Sequence, residues 1–265
     1  MAGMEDAPIL TAREGDALVV VTLNRPRRRN ALTLAMWREI SALFEGFARA
    51  PALRAAVLTG AGGAFCAGAD IGEFPEARAT PAMAAAYGEA VERAIEAVRL
   101  CEKATFAAVS GPAYGGGCGL AAACDFRVAD ATAEFAIPAA RLGLVYGRSE
   151  TRALLDAVGL ARAKEMLFSA ARHDAQSAAA IGLVTHLARE GDALTAARAA
   201  ARALGDAAPL TIAGAKVVLE ALAARPGPEG LAAIRAAEAR AAGSEDHAEG
   251  VRAFAEKRKP IFRGA

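Results

Sequence analysis

Three consecutive glycines, Gly115, Gly116 and Gly117, stand between a short uncharged run, Thr105 to Ser110, and the small-residue stretch Leu120 to Cys124. The run reads as a buried strand and the alanine-rich stretch as a helix, so a strand delivers glycines to a helix N-terminus. Without a Cβ, their backbone N–H groups can approach a ligand closely, and the helix adds the positive end of its dipole. Such a turn suits a developing negative charge. A triple glycine before a helix also serves as a tight packing turn, and both readings stand at this point.

The elements around this turn follow from pattern. Ala17 to Leu23 is β-branched and bounded by Gly15-Asp16 and Asn24-Arg-Pro26, which predicts a strand entering a turn. Thr33 can cap a helix whose apolar positions Trp37, Ile40, Phe44 and Phe47 recur every three or four residues and end before Pro51. Strands are predicted at 54–59, 126–129 and 135–137, and the alternation with helices implies a layered α/β core. From about Gly191 the strand signals stop, and four helical segments follow, broken at Pro209 and at Arg225 to Pro228. The chain thus divides into an α/β core over 1–190 and a helical region over 191–265 whose apolar stripes suit a neighbouring subunit.

Composition bounds the function. The 265 residues are 54% hydrophobic, and 31 basic residues against 30 acidic give a net charge of +1, which speaks against nucleic acid or an acidic membrane as partner. Arg25 to Arg29 form a local basic cluster that includes Arg27, Arg28 and Arg29. Cys66, Cys101, Cys118 and Cys124 form no CxxC pair, and read as reduced, buried small side chains of a cytoplasmic protein rather than metal ligands. No signal-peptide pattern opens the chain at Met1 to Asp6, and no apolar run reaches membrane-spanning length.

Two segments resemble the signatures of the crotonase (enoyl-CoA hydratase/isomerase) superfamily: Leu58-Thr-Gly-Ala-Gly-Gly-Ala-Phe-Cys-Ala-Gly-Ala-Asp-Ile71, and Ala108 to Asp125 with its triple glycine. Further similarity runs through Asn30-Ala-Leu32, Phe135-Ala-Ile-Pro138, Arg141-Leu-Gly143, Ala180 to Val184 and Glu249 to Arg258. The resemblance implies a spiral of repeated ββα units with a C-terminal helical region that builds a homotrimer or homohexamer. It also implies an acyl-CoA thioester substrate of fatty acid metabolism, with CoA part of the substrate and no separate cofactor. It gives the Ala69 and Gly116 N–H groups as an oxyanion hole, which stabilises an enolate without moving a proton. Around CoA it points to Arg28 or its neighbours for the phosphates, to Ala67 and Ile71 for adenine and pantetheine, and to Phe254 and Lys257, commonly from an adjacent subunit.

The pattern departs from the family where the acids belong. Hydratases of this family carry one glutamate two residues past the triple glycine and another after the proline of the later strand; here those positions are Gly119 and Ala139, and a further aspartate position holds Gly147. Neither glycine nor alanine can move a proton, so ordinary two-glutamate hydration is not expected. Glu150 is the nearest downstream carboxylate and the best candidate for the acid–base role. Ser149 or Glu150 can equally be a cap or first-turn acid of the helix predicted at Thr151 to Val158. Tyr146 and Tyr114 are weaker proton donors or substrate walls. Asp70, Asp125 and Glu134 fall at structural positions, and His173, His186 and His247 lie in no catalytic signature. The alternative is a homologue that binds acyl-CoA without turning it over. The segment from Pro75 to Arg99, with Met83, Tyr87 and Ile95, is expected to line the acyl group.

Overall fold

A computed structural model of the chain describes residues 7–188, 192–223 and 227–265. The boundary drawn at 190/191, the break residue Arg225 and the N-terminal Met1 to Asp6 fall outside these residues. The chain opens with β1 (Ile9–Glu14) and β2 (Leu18–Leu23), then α1 (Leu34–Ala48) and β3 (Ala55–Gly60). The short α2 (Phe74–Ala77), α3 (Pro81–Arg99), β4 (Ala104–Val109), β5 (Pro112–Tyr114) and α4 (Gly116–Ala123) follow. Next come β6 (Phe126–Ala129), β7 (Glu134–Ala136), α5 (Arg148–Ser169), β8 (His173–Asp174), α6 (Ala175–Ala180) and β9 (His186–Leu187). The remainder is α7 (Ala193–Ala203), α8 (Pro209–Ala223), α9 (Pro228–Ala242) and α10 (Glu245–Ala255).

One sheet has the order β1-β2-β3-β4-β6-β9, with only the β1 pairing antiparallel. Its strands read Leu-Val-Val-Val, Ala-Ala-Val-Leu and Phe-Ala-Ala-Val because both faces are covered, as parallel sheets require. A second sheet, β5-β7-β8, is extended by single bridges from Cys66 to Ala113 and from Leu32 to Ala69. Successive repeats therefore send one strand to each sheet and then a helix. Thr33 caps α1 as expected, its hydroxyl accepting from the Met36 N–H at 3.3 Å. The helix buries Met36, Trp37, Ile40 and Phe44, each contributing roughly 1.5–3 kcal/mol by burial.

Polar anchors hold the loops that reach the second sheet. Asn30 is buried in the left-handed region (φ 57°), and its amide donates to the Ala61 and Ala64 carbonyls at 2.9 and 2.6 Å while its oxygen accepts from the Arg25 N–H. The loop after β2 is thereby tied to the glycine-rich loop after β3. Asp125, at the end of α4, accepts from the Thr105 N–H and hydroxyl and pairs with Lys216 of α8 at 2.8 Å.

Within the helical region the parts differ. Ala193, Ala197 and Ala201 of α7 are buried against β3, β4 and β6. By contrast α8 and α9 bury no residue fully, and Leu219, Leu222, Val251 and Phe254 are exposed apolar side chains on the helices beyond α7.

Candidate active site

The residues singled out in the two glycine-rich segments converge on one cavity of about 190 Å³. Its lining includes Trp37, Ala67, Ala69, Ile71, Gly116, Ala139, Tyr146 and Glu150. The loop after β3 is fixed there by backbone bonds: Leu32 N–H to the Gly68 carbonyl and Asp70 N–H to the Leu32 carbonyl, at 2.8 and 2.9 Å. Both leave the Ala69 N–H out of the ladder. Across from it, the first helical bond of α4 runs from the Gly119 N–H to the Gly115 carbonyl, so the Gly116 N–H is a first-turn donor. Neither the Ala69 nor the Gly116 N–H has a partner among the described residues.

The close approach explains the glycines. Gly68 has φ +95°, and a β-carbon on it would stand 2.7 Å from the Tyr114 carbonyl oxygen and 3.2 Å from the Gly116 nitrogen. Gly115 also has a positive φ, whereas Gly116 is helical, and its constraint is space: a β-carbon would meet the Trp37 ring at 3.0 Å and Glu150 Oε1 at 3.4 Å.

Helix α5 begins at Arg148, three residues earlier than its predicted start, and kinks at Gly159. Glu150 therefore is a first-turn acid, and its side chain also lies in the cavity. Burial raises its carboxyl to about 7, the Gly147 N–H opposes that rise, nearby Glu92 adds to it and Arg78 again opposes it. A β-carbon on Gly119 would stand 3.2 and 3.1 Å from Glu150 Cβ and Cγ and 2.6 Å from the Tyr146 hydroxyl. The volume that a side chain at 119 would enter is filled from α5 and the loop before it.

Tyr146 donates its hydroxyl to the Gly115 carbonyl at 2.8 Å, and burial pushes its proton affinity well above the ordinary value, so it holds the glycine turn as a neutral phenol. Ser149 donates both its N–H and its hydroxyl to Glu92 of α3, the hydroxyl at 2.5 Å. Cys66 and Cys118 lie beside the site with thiols pushed up to about 12 by burial, which keeps both protonated and poor as nucleophiles.

Other expected residues take separate places. Arg27, Arg28 and Arg29 are exposed around a short 3-10 turn outside the cavity. Phe254 is 88% exposed and borders a cleft between C-terminal helices, and Lys257 is exposed after α10; one chain alone does not bring them to the cavity. Asp70 pairs with Arg25 and caps Gly72, Glu134 pairs with Arg172, and Tyr114 lies near the Arg172 guanidinium. Of the acyl-lining candidates, Tyr87 borders the cavity, Ile95 is core and Met83 is exposed. Sequence reasoning missed Trp37 as a site wall, Glu92 as the anchor of Ser149, and Arg78. The spacing of Phe74 and Arg78, four residues apart, was the one local signal for the last.

A backbone pair of unpartnered donors and a buried carboxyl thus share one cavity, set on two linked sheets. The enoyl-CoA hydratase/isomerase family model matches residues 13–265. A short-chain-enoyl-CoA hydratase of Clostridium acetobutylicum is 32% identical over 97% of this chain and 97% of its own. A 2,3-dehydroadipyl-CoA hydratase of Escherichia coli is 33% identical over 93% and 95%. A crystal structure of an enoyl-CoA hydratase/isomerase family protein from Hyphomonas neptunium superposes with a TM-score of 0.91, at 34% identity, covering 99% of this chain and 100% of that one. The chain belongs to the enoyl-CoA hydratase/isomerase family and has the crotonase fold.

Proposed function

We propose that this protein is an acyl-CoA enzyme that forms a thioester enolate between the Ala69 and Gly116 N–H groups, with Glu150 as its single acid–base carboxyl. The observation that carries this reading is the location of Glu150: it borders the same cavity as both donors, beside Gly116, with a carboxyl titrating near 7. A group with that affinity can take a proton from Cα of a bound thioester and return it, the balance general acid–base catalysis needs at neutral pH. The two N–H donors meet the charge that appears on the thioester oxygen as the proton leaves. CoA enters as part of the substrate, and the chemistry asks for no separate cofactor. One carboxyl suits a double-bond shift or a hydration in which the same group serves both steps.

Gly119 and Ala139 favour a second reading, a binding protein without turnover. An absorbance assay of enoyl-CoA consumption beside a calorimetric titration with a saturated acyl-CoA separates the two. Turnover that Glu150→Gln abolishes supports the enzyme, and binding without turnover supports the second reading.

The exposed Arg27, Arg28 and Arg29 suit the CoA phosphates, with Ala67 and Ile71 near adenine and pantetheine. Phe254 and Lys257 reach a CoA only across a subunit boundary, and the exposed apolar side chains of the C-terminal helices suit a homotrimer or homohexamer. Four free, buried cysteines fit a cytoplasmic setting, and among the described residues no helix is long and apolar enough to cross a membrane.

A further inference from the structure

Arg78 follows α2 directly and lies against two aromatic rings, its guanidinium carbon 4.0 Å from the Phe74 ring centre and 4.4 Å from that of Tyr87. Both rings hold the cation in place. Its Nε is buried and has no hydrogen-bond partner among the described residues. The acids around it are engaged elsewhere: Asp70 by Arg25 at 2.8 Å, Glu73 by the Leu34 N–H at 2.8 Å, and Glu92 by Ser149 and Arg148. Glu150 is the acid in the cavity lining; Arg78 attracts it through space but makes no contact ion pair with it.

A half-buried cation with no contact ion pair has only the longer-range attraction of Glu150, and a ligand carboxylate supplies the direct partner. Arg78 borders the same cavity as Ala69, Gly116 and Glu150, while Arg27, Arg28 and Arg29 do not. An anion drawn to Arg78 therefore belongs to the acyl group and not to the CoA phosphates.

We infer that the acyl group bound here carries a carboxylate of its own, so that the substrate class is a dicarboxylic acyl thioester gripped by Arg78. The inference rests on the reading of this cavity as the thioester site. A carboxylate pairs with the two terminal nitrogens of Arg78, which line the cavity without a hydrogen-bond partner among the described residues, the paired geometry that guanidinium groups recognise. An acyl chain ending in a methyl group leaves those terminal donors without a partner, which is how a polar site rejects an apolar analogue.

The test is a calorimetric titration of the full-length protein with matched pairs: succinyl- against butyryl-CoA, glutaryl- against valeryl-CoA, and adipyl- against hexanoyl-CoA. Wild type is expected to prefer the carboxylate member of at least one pair by about tenfold or more. That preference falls toward unity in Arg78→Gln and recovers in part in Arg78→Lys. Equal affinity within all three pairs of wild type overturns the inference, as does a preference that survives Arg78→Gln. An Arg78→Gln protein whose only change is a shifted pH profile assigns Arg78 to Glu150 instead and overturns it too. In each of those cases binding of the monocarboxylic thioesters leaves the thioester reading standing. Binding of none of the six overturns both.

Discussion

Glu150 stands over Gly119, its Cβ and Cγ 3.2 and 3.1 Å from the point where a side chain at 119 would begin. The acid reaches the cavity from α5 through space that the glycine leaves open. An acid on α4 and Glu150 in its present place exclude one another sterically.

Glu150→Gln keeps the shape of the site and removes its titrating group. Turnover of an enoyl-CoA is expected to fall by about a hundredfold or more, the usual yield of one acid–base group, with acyl-CoA affinity little changed. Steady-state kinetics beside calorimetry check this; full activity in the variant would move the proton transfer to another residue.

The same carboxyl gives stability a pH dependence of known sign. Its value of about 7 in the folded chain lies above the ordinary 4.5, so between the two the folded state holds a proton that the unfolded chain has released. Stability is therefore greatest below about 4.5 for this group, declines as pH rises through about 7, and is level above. The upper bound is about 3 kcal/mol. Urea unfolding at pH 5 and pH 8 should show a smaller difference for Glu150→Gln than for wild type, and equal differences would contradict the placement.

Adding side chains on α4 is expected to damage rather than restore the site. Gly119→Ala places a methyl 2.6 Å from the Tyr146 hydroxyl, which is buried and bonded to Gly115, and the overpacking costs roughly 1–3 kcal/mol. Combining it with Tyr146→Phe removes the hydroxyl, so the pair should lose less stability than the sum of the single changes. Denaturation of the four proteins measures that coupling.

Gly116→Val meets the Trp37 ring at 3.0 Å and crowds the space in front of its own N–H. Turnover should fall by about a hundredfold or more, as when an oxyanion donor is lost. Circular dichroism and turnover are read together: a folded variant with wild-type activity would remove Gly116 from the thioester site.

Much of this was legible in sequence because it is local. Buried parallel strands are apolar runs, Thr33 is a capping residue at the right offset, and the glycines at 115–117 mark close backbone approach. Glu150 was legible as the best acid–base candidate but equally as a cap or first-turn acid, because a glutamate in a first helical turn looks the same whether its side chain faces water or a cavity. That α7 covers the sheet was hidden by its alanine face, which carries the same small residues as the helices beyond it. Glu92 and Ser149 lie 57 positions apart, so no neighbour in sequence announces that pair, and the spacing to Phe74 was the one local sign of Arg78.

The division of labour between backbone and side chain has a consequence for how this protein can change. The donors of Ala69 and Gly116 are peptide groups held by the ladder between Leu32 and Asp70 and by the start of α4, so among single substitutions only proline removes the N–H itself. A carboxyl is a side chain and can be placed on any segment that borders the cavity; here Glu150 of α5 borders it, while 119 and 139 carry none. On the reading proposed above, enolate stabilisation would be inherited with the fold, and the direction of proton traffic would be a trait that can be lost, moved and regained over it.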